Sequence, residues 1–238
     1  TGRVYLTVIE RERNLAYGGK CVEVVPHIPE EIIRRIENAA RVNKADITIV
    51  EIGGTVGEYQ NLLFLEAARE MKLRHPADVV FVLVSYLPIP ANIGEMKTKP
   101  TQYASRTLNS TGIQADFIVC RSERPLDTPR RNKLATFCGI TPEAVISAPD
   151  MPSIYEVPLL LEDDGLGEKI LKKFGMRGRG SDMKPWRAFV KKIHNAKRSV
   201  KIAVVGKYFS TGDFTLADSY ISVIESVKHA AWHHDRRP

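Results

Sequence analysis

Short apolar runs separated by stretches of helical periodicity set the strongest limit on how this chain can fold. The runs fall at residues 21–25 (CVEVV), 46–52 (DITIVEI), 79–86 (VVFVLVSY), 117–120 and 144–147. They are nearly continuous in Val and Ile rather than alternating apolar and polar, the pattern of strands buried on both faces. Between several of them lie helical segments. Residues 29–41 (PEEIIRRIENAAR) carry acids in the first turn and space Ile32, Ile33 and Ile36 along one face, and residues 62–73 and 130–138 read similarly. Strands alternating with helices predict an α/β fold, a parallel sheet covered by helices.

The pattern breaks after Phe174. Glycine and arginine dominate a short stretch (GMRGRGSD), a helix with Trp186, Phe189 and Ile193 follows, and a fresh strand is predicted at 200–205 with a helix over 216–232 behind it. One strand and one helix cannot enclose a core, because domains below about 40 residues need outside support. The predicted organisation is a first domain over 1–174, a linker over 175–199 and the start of a second domain over 200–238.

Composition narrows the function classes. With 43% apolar residues in 238, the chain can bury a sizeable core. No apolar run approaches the roughly 18 residues needed to span a bilayer. The N-terminal TGRVYLTVIERER lacks the basic, apolar and small-residue order of a signal peptide, so an intracellular protein is expected. Cys21, Cys120 and Cys138 are widely spaced with no C-x-x-C pair, which favours reduced thiols over disulfides or a zinc site. The net charge of +7 is concentrated largely between Lys172 and Arg198. Without an aromatic-interleaved basic groove, a polyanionic small molecule explains the surplus more economically than a nucleic acid.

Two stretches carry candidate chemistry. In DITIVEIGGTVGE, Glu51 ends a predicted strand and precedes Gly53, Gly54 and Gly57. Ligands of open parallel sheets bind beyond the strands' carboxyl ends. Glu51 there could hold magnesium against phosphates, with glycines letting backbone amides approach, or could be the exposed acid of an ordinary turn. In GEMKTKPTQ, residues 94–102, Lys97 and Lys99 suit phosphates and Gln102 suits a base edge, while Pro100 stiffens the turn. The same composition also describes a solvated basic loop.

Together the stretches resemble the CTP synthase family. VEIGGTVGE is similar to its magnesium-and-pyrimidine loop and GEMKTKPTQ to its pyrimidine-nucleotide loop. VVPHIPEEI, CRSERP, FCGITPEAVIS and VVGKY fall in the family's order over essentially the whole chain. The resemblance implies a P-loop NTPase-like synthetase domain joined to a class I glutamine amidotransferase domain. It implies phosphorylation of uracil O4 of UTP by ATP, then attack at C4 by ammonia from glutamine to give CTP. Glu51 would be a magnesium ligand. Glu58, Tyr59, Gln60, Lys97, Thr98, Lys99, Pro100, Thr101, Gln102 and Lys133 would meet UTP or CTP, and Pro149, Asp150 and Met151 the ATP base. His27, which follows a predicted strand end and by itself also reads as a structural histidine, would lie on the ammonia route, while His194, His229, His233 and His234 read as surface residues. Mg2+, GTP as activator, CTP as feedback inhibitor, a homo-oligomer (dimer or tetramer) and a cytoplasmic location follow from the same likeness.

Departures count as well. The family residue at Gln60 is commonly acidic, and a lysine is familiar at Pro149, so feedback by product and side-chain contact to ATP stay open. No G-x-x-x-x-G-K-[ST] occurs in the chain. The resemblance places that loop before Thr1, and the glutaminase nucleophile after Pro238, so an internal fragment inactive by itself is expected. The competing expectation is a non-catalytic paralogue that binds pyrimidine nucleotide or assembles with complete subunits.

Overall fold

The computed structural model describes residues 1–178, 180–207, 210–211, 214–215 and 217–238. They form two compact units: Thr1–Met151 with Leu161–Gly178, and Pro152–Leu160 with the chain after Gly178. Each is described by itself.

The first unit opens with α1 (Gly2–Arg13), α2 (Val24–Asn43) and α3 (Leu62–Arg74). Apolar residues four apart give each helix one sticky face, and Val4 and Val8, Ile28 and Ile32, and Ala67 meet in one buried cluster with Ile33. Three strands follow in alternation with two helices: β1 (Val82–Tyr86), α4 (Lys99–Ser110), β2 (Phe117–Ser122), α5 (Thr128–Cys138) and β3 (Val145–Pro149). All pairs are parallel, in order β1-β2-β3, with Leu83 opposite Ile118 and Ile118 opposite Val145. The central strand is covered on both faces, as its composition requires. Ile118 and Cys120 point into a core with Leu83, Leu65 of α3, Leu108 of α4 and Leu134 of α5. Val119 points the other way, against Ile146, Ala148 and the partly buried Leu161 and Leu166, from α6 (Val157–Asp163) and α7 (Leu166–Lys173).

Helix ends match their sequences. The Asp127 carboxylate accepts a hydrogen bond from Arg130 N at the start of α5, Pro129 fills the first turn, and Gly139 closes it in the left-handed region (φ 68°).

Three predicted strands are absent. Residues 21–23 form no ladder; α2 takes up Val24 onward, interrupted at Val25, which is extended (φ −114°, ψ 125°) as a residue before proline prefers to be, with Pro26 and Pro29 in the opening turns. Residues 46–52 also have no ladder, and Ile49 is 93% exposed. An apolar run becomes a strand only where a neighbour takes its backbone N–H and C=O groups. Among the described residues none does so here. Residues 200–205 form no strand either, although Val200 N donates to the Arg237 carbonyl at 2.9 Å, and Val205 is exposed.

The second unit contains α8 (Lys184–Asn195) and α9 (Ile221–His233), a parallel pairing of β4 (Arg198–Ser199) with β7 (Arg236–Arg237), and an antiparallel pairing of β5 (Ser210–Thr211) with β6 (Phe214–Thr215). Leu216, where the predicted last helix begins, lies outside the described residues, and α9 itself starts at Ile221. No helix among the described residues is long and apolar enough to cross a membrane. The three cysteines are free thiols; Cys120 and Cys138 are buried and Cys21 is exposed. Burial pushes the Cys120 thiol up to about 12, which makes it unreactive.

Candidate functional site

Because β1, β2 and β3 run parallel, their carboxyl ends lie along one edge of the sheet, and the chain leaving them builds the candidate site. After β1 the chain turns back on itself: Lys97 N donates to the Pro88 carbonyl, and Leu87 N to the Arg121 carbonyl of β2. The turn then enters α4 at Lys99, with Pro100 in the first helical turn, where the missing N–H costs no bond. Thr101 is fully buried, and its hydroxyl shares a 2.8 Å hydrogen bond with Ser85 of β1. Gln102 is buried too, its Nε2 donating to Thr98 Oγ1 at 3.1 Å. Thr101 thus fixes the segment to the sheet, Thr98 and Gln102 brace one another within it, and Lys97, Lys99 and Pro100 stand nearer the surface.

Helix α5 supports this turn from the side. Arg130 Nε donates to the Met96 carbonyl at 3.0 Å, and its guanidinium reaches Glu95 at 3.3 Å and Asp127. Two helical turns further on, the Phe137 ring lies under the Lys99 ammonium at 5.3 Å. Residues 130, 133 and 137 share a helix face, so Lys133 sits on the face of α5 turned toward residues 95–99. Lys97 also pairs with Glu95 at 2.6 Å, which holds that carboxyl below the usual range, with Arg130 assisting. Lys97, Lys99, Arg130 and Lys133 against Glu95 and Asp127 leave two positive charges beside the first turn of α4, where the helix dipole also favours an anion.

The glycine-rich turn packs on the same helix. Gly57 has φ 99°, and a Cβ there would come within 2.9 Å of Thr107 Cγ2 of α4, so only glycine fits the approach. Asn61 is buried and donates through Nδ2 to the Thr55 carbonyl. Glu58 accepts from Thr55 N at 2.9 Å and from Gln60 Nε2 at 2.5 Å. The Thr55 N–H, then Gln60, hold its carboxyl below the ordinary range. Tyr59 is 94% exposed. Ile52 and Val56 anchor the turn on the main core, while Glu51 is exposed. No group of three or more His, Cys, Asp or Glu side chains converges as a metal site among the described residues. A lone exposed carboxylate fits magnesium, which keeps several waters and uses one or two protein oxygens with substrate phosphates.

At the end of β3 Pro149 is buried, and beyond it Asp150 N donates to the Ser122 carbonyl and the Asp150 carboxylate pairs with Arg121 at 2.8 Å. Residues 149–151 therefore border the end of β2. His27 belongs to the α1–α2–α3 cluster instead. Its Nδ1 lies 3.0 Å from both Glu23 N and Glu23 O, and the Tyr17 ring meets it edge-on at 5.1 Å.

The family profile described as CTP synthase N-terminus matches residues 1–176. The chain belongs to that family. It is 49% identical to the CTP synthase of Pyrococcus abyssi over 232 residues, 97% of this chain and 42% of that protein. Its identity to the CTP synthase of Prochlorococcus marinus is 47% over 238 residues, 99% of this chain and 42% of the relative. For the Symbiobacterium thermophilum CTP synthase the figures are 45% over 239 residues, 100% and 43%. The chain thus spans about two-fifths of the length of these curated relatives.

Sequence reasoning missed the residues that support this candidate site. Arg130 and Phe137 hold residues 95–99 from a helix more than 30 positions away, and Asn61 stitches the glycine turn; the shared face of 130, 133 and 137 was the only available signal. It also read His229 as a plain surface residue. His229 is exposed, yet its ring meets Tyr155, Phe189 and Trp232.

Proposed function

We propose that the protein to which this chain belongs is a CTP synthase, forming CTP from UTP with ATP and with ammonia drawn from glutamine. The observation that carries the reading is the basic turn at 97–102, fastened to the sheet edge and to α5, in a chain nearly half identical to CTP synthases. Lys97, Lys99 and Lys133 supply ammonium donors for a triphosphate, and the first turn of α4 adds its dipole. Thr98, Thr101 and Gln102 fix those donors in place, so little ordering remains when the nucleotide arrives. Glu58, Tyr59 and Gln60, on the turn packed against α4, would border the pyrimidine nucleotide, and Pro149, Asp150 and Met151 the adenine of ATP. Glu51 would hold Mg2+, which when bound neutralises the phosphate charge. His27, its ring fixed by Glu23 and Tyr17, would line the passage for ammonia.

In the same reading residues 1–174 are the synthetase part with a P-loop-like fold, 175–199 the linker and 200–238 the opening of a class I glutamine amidotransferase domain. GTP is the activator and CTP the inhibitor, and the working enzyme is a cytoplasmic homo-oligomer. The test is CTP formation by the full-length protein with UTP, ATP, Mg2+ and glutamine. Glu51→Ala should lower the rate by at least about 100-fold, the scale of losing electrostatic stabilisation at a reacting phosphate. An unchanged rate would remove Glu51 from the metal site.

A further inference from the structure

Two cations of the basic turn do not face a ligand alone, because one carboxylate of the same turn already engages both. Among the described residues, the partners of Glu95 are Lys97, whose ammonium lies 2.6 Å from Oε2, and Arg130, whose guanidinium lies 3.3 Å from Oε1. The backbone places that acid firmly. Gly94 before it takes φ 67° and donates to the Pro90 carbonyl at 2.8 Å, and Met96 after it is buried in the main core. The Glu95 side chain is nonetheless 54% exposed, open to an incoming anion that could displace it. Lys97, and then Arg130, hold its carboxyl below the usual range, so it is charged at neutral pH.

The turn keeps its shape by other means. Lys97 N bonds the Pro88 carbonyl, Thr101 bonds Ser85, and Arg130 Nε reaches the Met96 carbonyl without passing through Glu95. What the carboxylate changes is charge: it occupies an ammonium that a phosphate oxygen would otherwise take, and it stands as a like charge beside any phosphate that arrives. We infer that Glu95 is a built-in competitor for the ligand's phosphates, a carboxylate that a triphosphate must displace from Lys97 and that holds the turn's affinity below what its cations alone would give. The inference rests on the reading of this turn as a pyrimidine-nucleotide site. UTP and CTP carry the same triphosphate, so the competitor weakens substrate and product alike, and a looser grip lets product leave.

The experiment uses the full-length protein with ammonia as nitrogen source. Glu95→Gln removes the charge and keeps the size; the KM for UTP and the inhibition constant for CTP should both fall about fivefold, the scale of releasing one exposed ion pair, with no rise in kcat. The KM of the variant should also climb more steeply with added salt, since one more ammonium then meets phosphate. Glu37→Gln, at an exposed acid of α2, makes the same change in net charge and should leave both constants as they are. A brace gives the opposite sign: if the turn needed Glu95 to hold Arg130, Glu95→Gln would raise the KM. An unchanged or raised KM for UTP overturns the inference. Should wild type form no CTP, the nucleotide reading falls, and calorimetry with inorganic tripolyphosphate then decides. Binding about fivefold tighter to Glu95→Gln than to wild type supports the competitor; equal binding, or none to either, overturns it.

Discussion

Removing the charge of Glu31 alone should loosen α1 from α2 without disturbing the sheet. The Glu31 side chain is 1% exposed, yet it is an acid in the middle of an apolar interface. It is tolerated because Arg34 closes on it with two hydrogen bonds of 2.7 Å and Arg35 adds a third of 2.7 Å, while Arg11 of α1 approaches at 3.5 Å. Arg35 also donates to the Arg3 carbonyl and to Thr7 Oγ1, so the carboxylate fixes a guanidinium that in turn holds α1. Each such charge-assisted bond is worth roughly 1.5–3 kcal/mol, but the arginines are 39–54% exposed and recover water when freed. Glu31→Gln should therefore cost about 2–3 kcal/mol, not the sum of three bonds. Read by native-state hydrogen exchange of the full-length protein, α1 amides should exchange about 30- to 150-fold faster, with Glu30→Gln, an exposed neighbour, as the control.

The pH dependence has a definite sign. Arg34, then Arg35, hold the Glu31 carboxyl below its ordinary value against the opposing effect of burial. A depressed carboxyl contributes stability that is complete above the unfolded value, about 4.3, and is lost as pH falls through the folded one. Protection of α1 should decline in that acid window in wild type and stay level in Glu31→Gln. Equal α1 exchange in Glu31→Gln and wild type, or equal effects of the two substitutions, would refute the argument.

Gly57→Ala should destabilise the first unit by about 2–3 kcal/mol, since it forces a side chain to φ 99° and against Thr107; Gly53→Ala, with open space around it, should change little. Thermal melting separates the two, at roughly 2–4 °C per kcal/mol for a unit of this size. Arg130→Ala should free residues 95–97 and raise the KM for UTP about tenfold in the full-length protein, more than it lowers kcat; steady-state kinetics would show it, and an unchanged KM would mean the turn holds itself.

What the sequence made legible is what short-range pattern controls. Ile32, Ile33 and Ile36 predicted the buried face of α2; the helix predicted over 130–138 falls within α5; the continuous Val/Ile run of β1 and β2 announced a parallel sheet. Residues 46–52 show the limit of that reasoning. Their apolar run expresses a preference for burial but does not name the neighbour that would satisfy it, and the structure leaves Ile49 in solvent. Glu31 shows a second limit: in the sequence it is only one of two acids opening a predicted helix, and the structure makes it an interior anchor.

The candidate site divides along the same line. Lys97, Lys99 and Gln102 could be singled out because their chemistry is local to one turn. What makes the turn usable is remote: Ser85 on Thr101, Arg130 on the Met96 carbonyl and Phe137 beneath Lys99. A flexible basic loop would lose much of its electrostatic gain to the entropy of ordering long side chains on a ligand. Here the backbone is ordered beforehand by buried hydroxyls and a guanidinium, while the Lys99 ammonium stays at the surface. The distinction left open by composition, between a solvated basic loop and an anion site, therefore turns on residues outside the motif: remove Arg130 or Ser85, and the same lysines should bind no better than a loop.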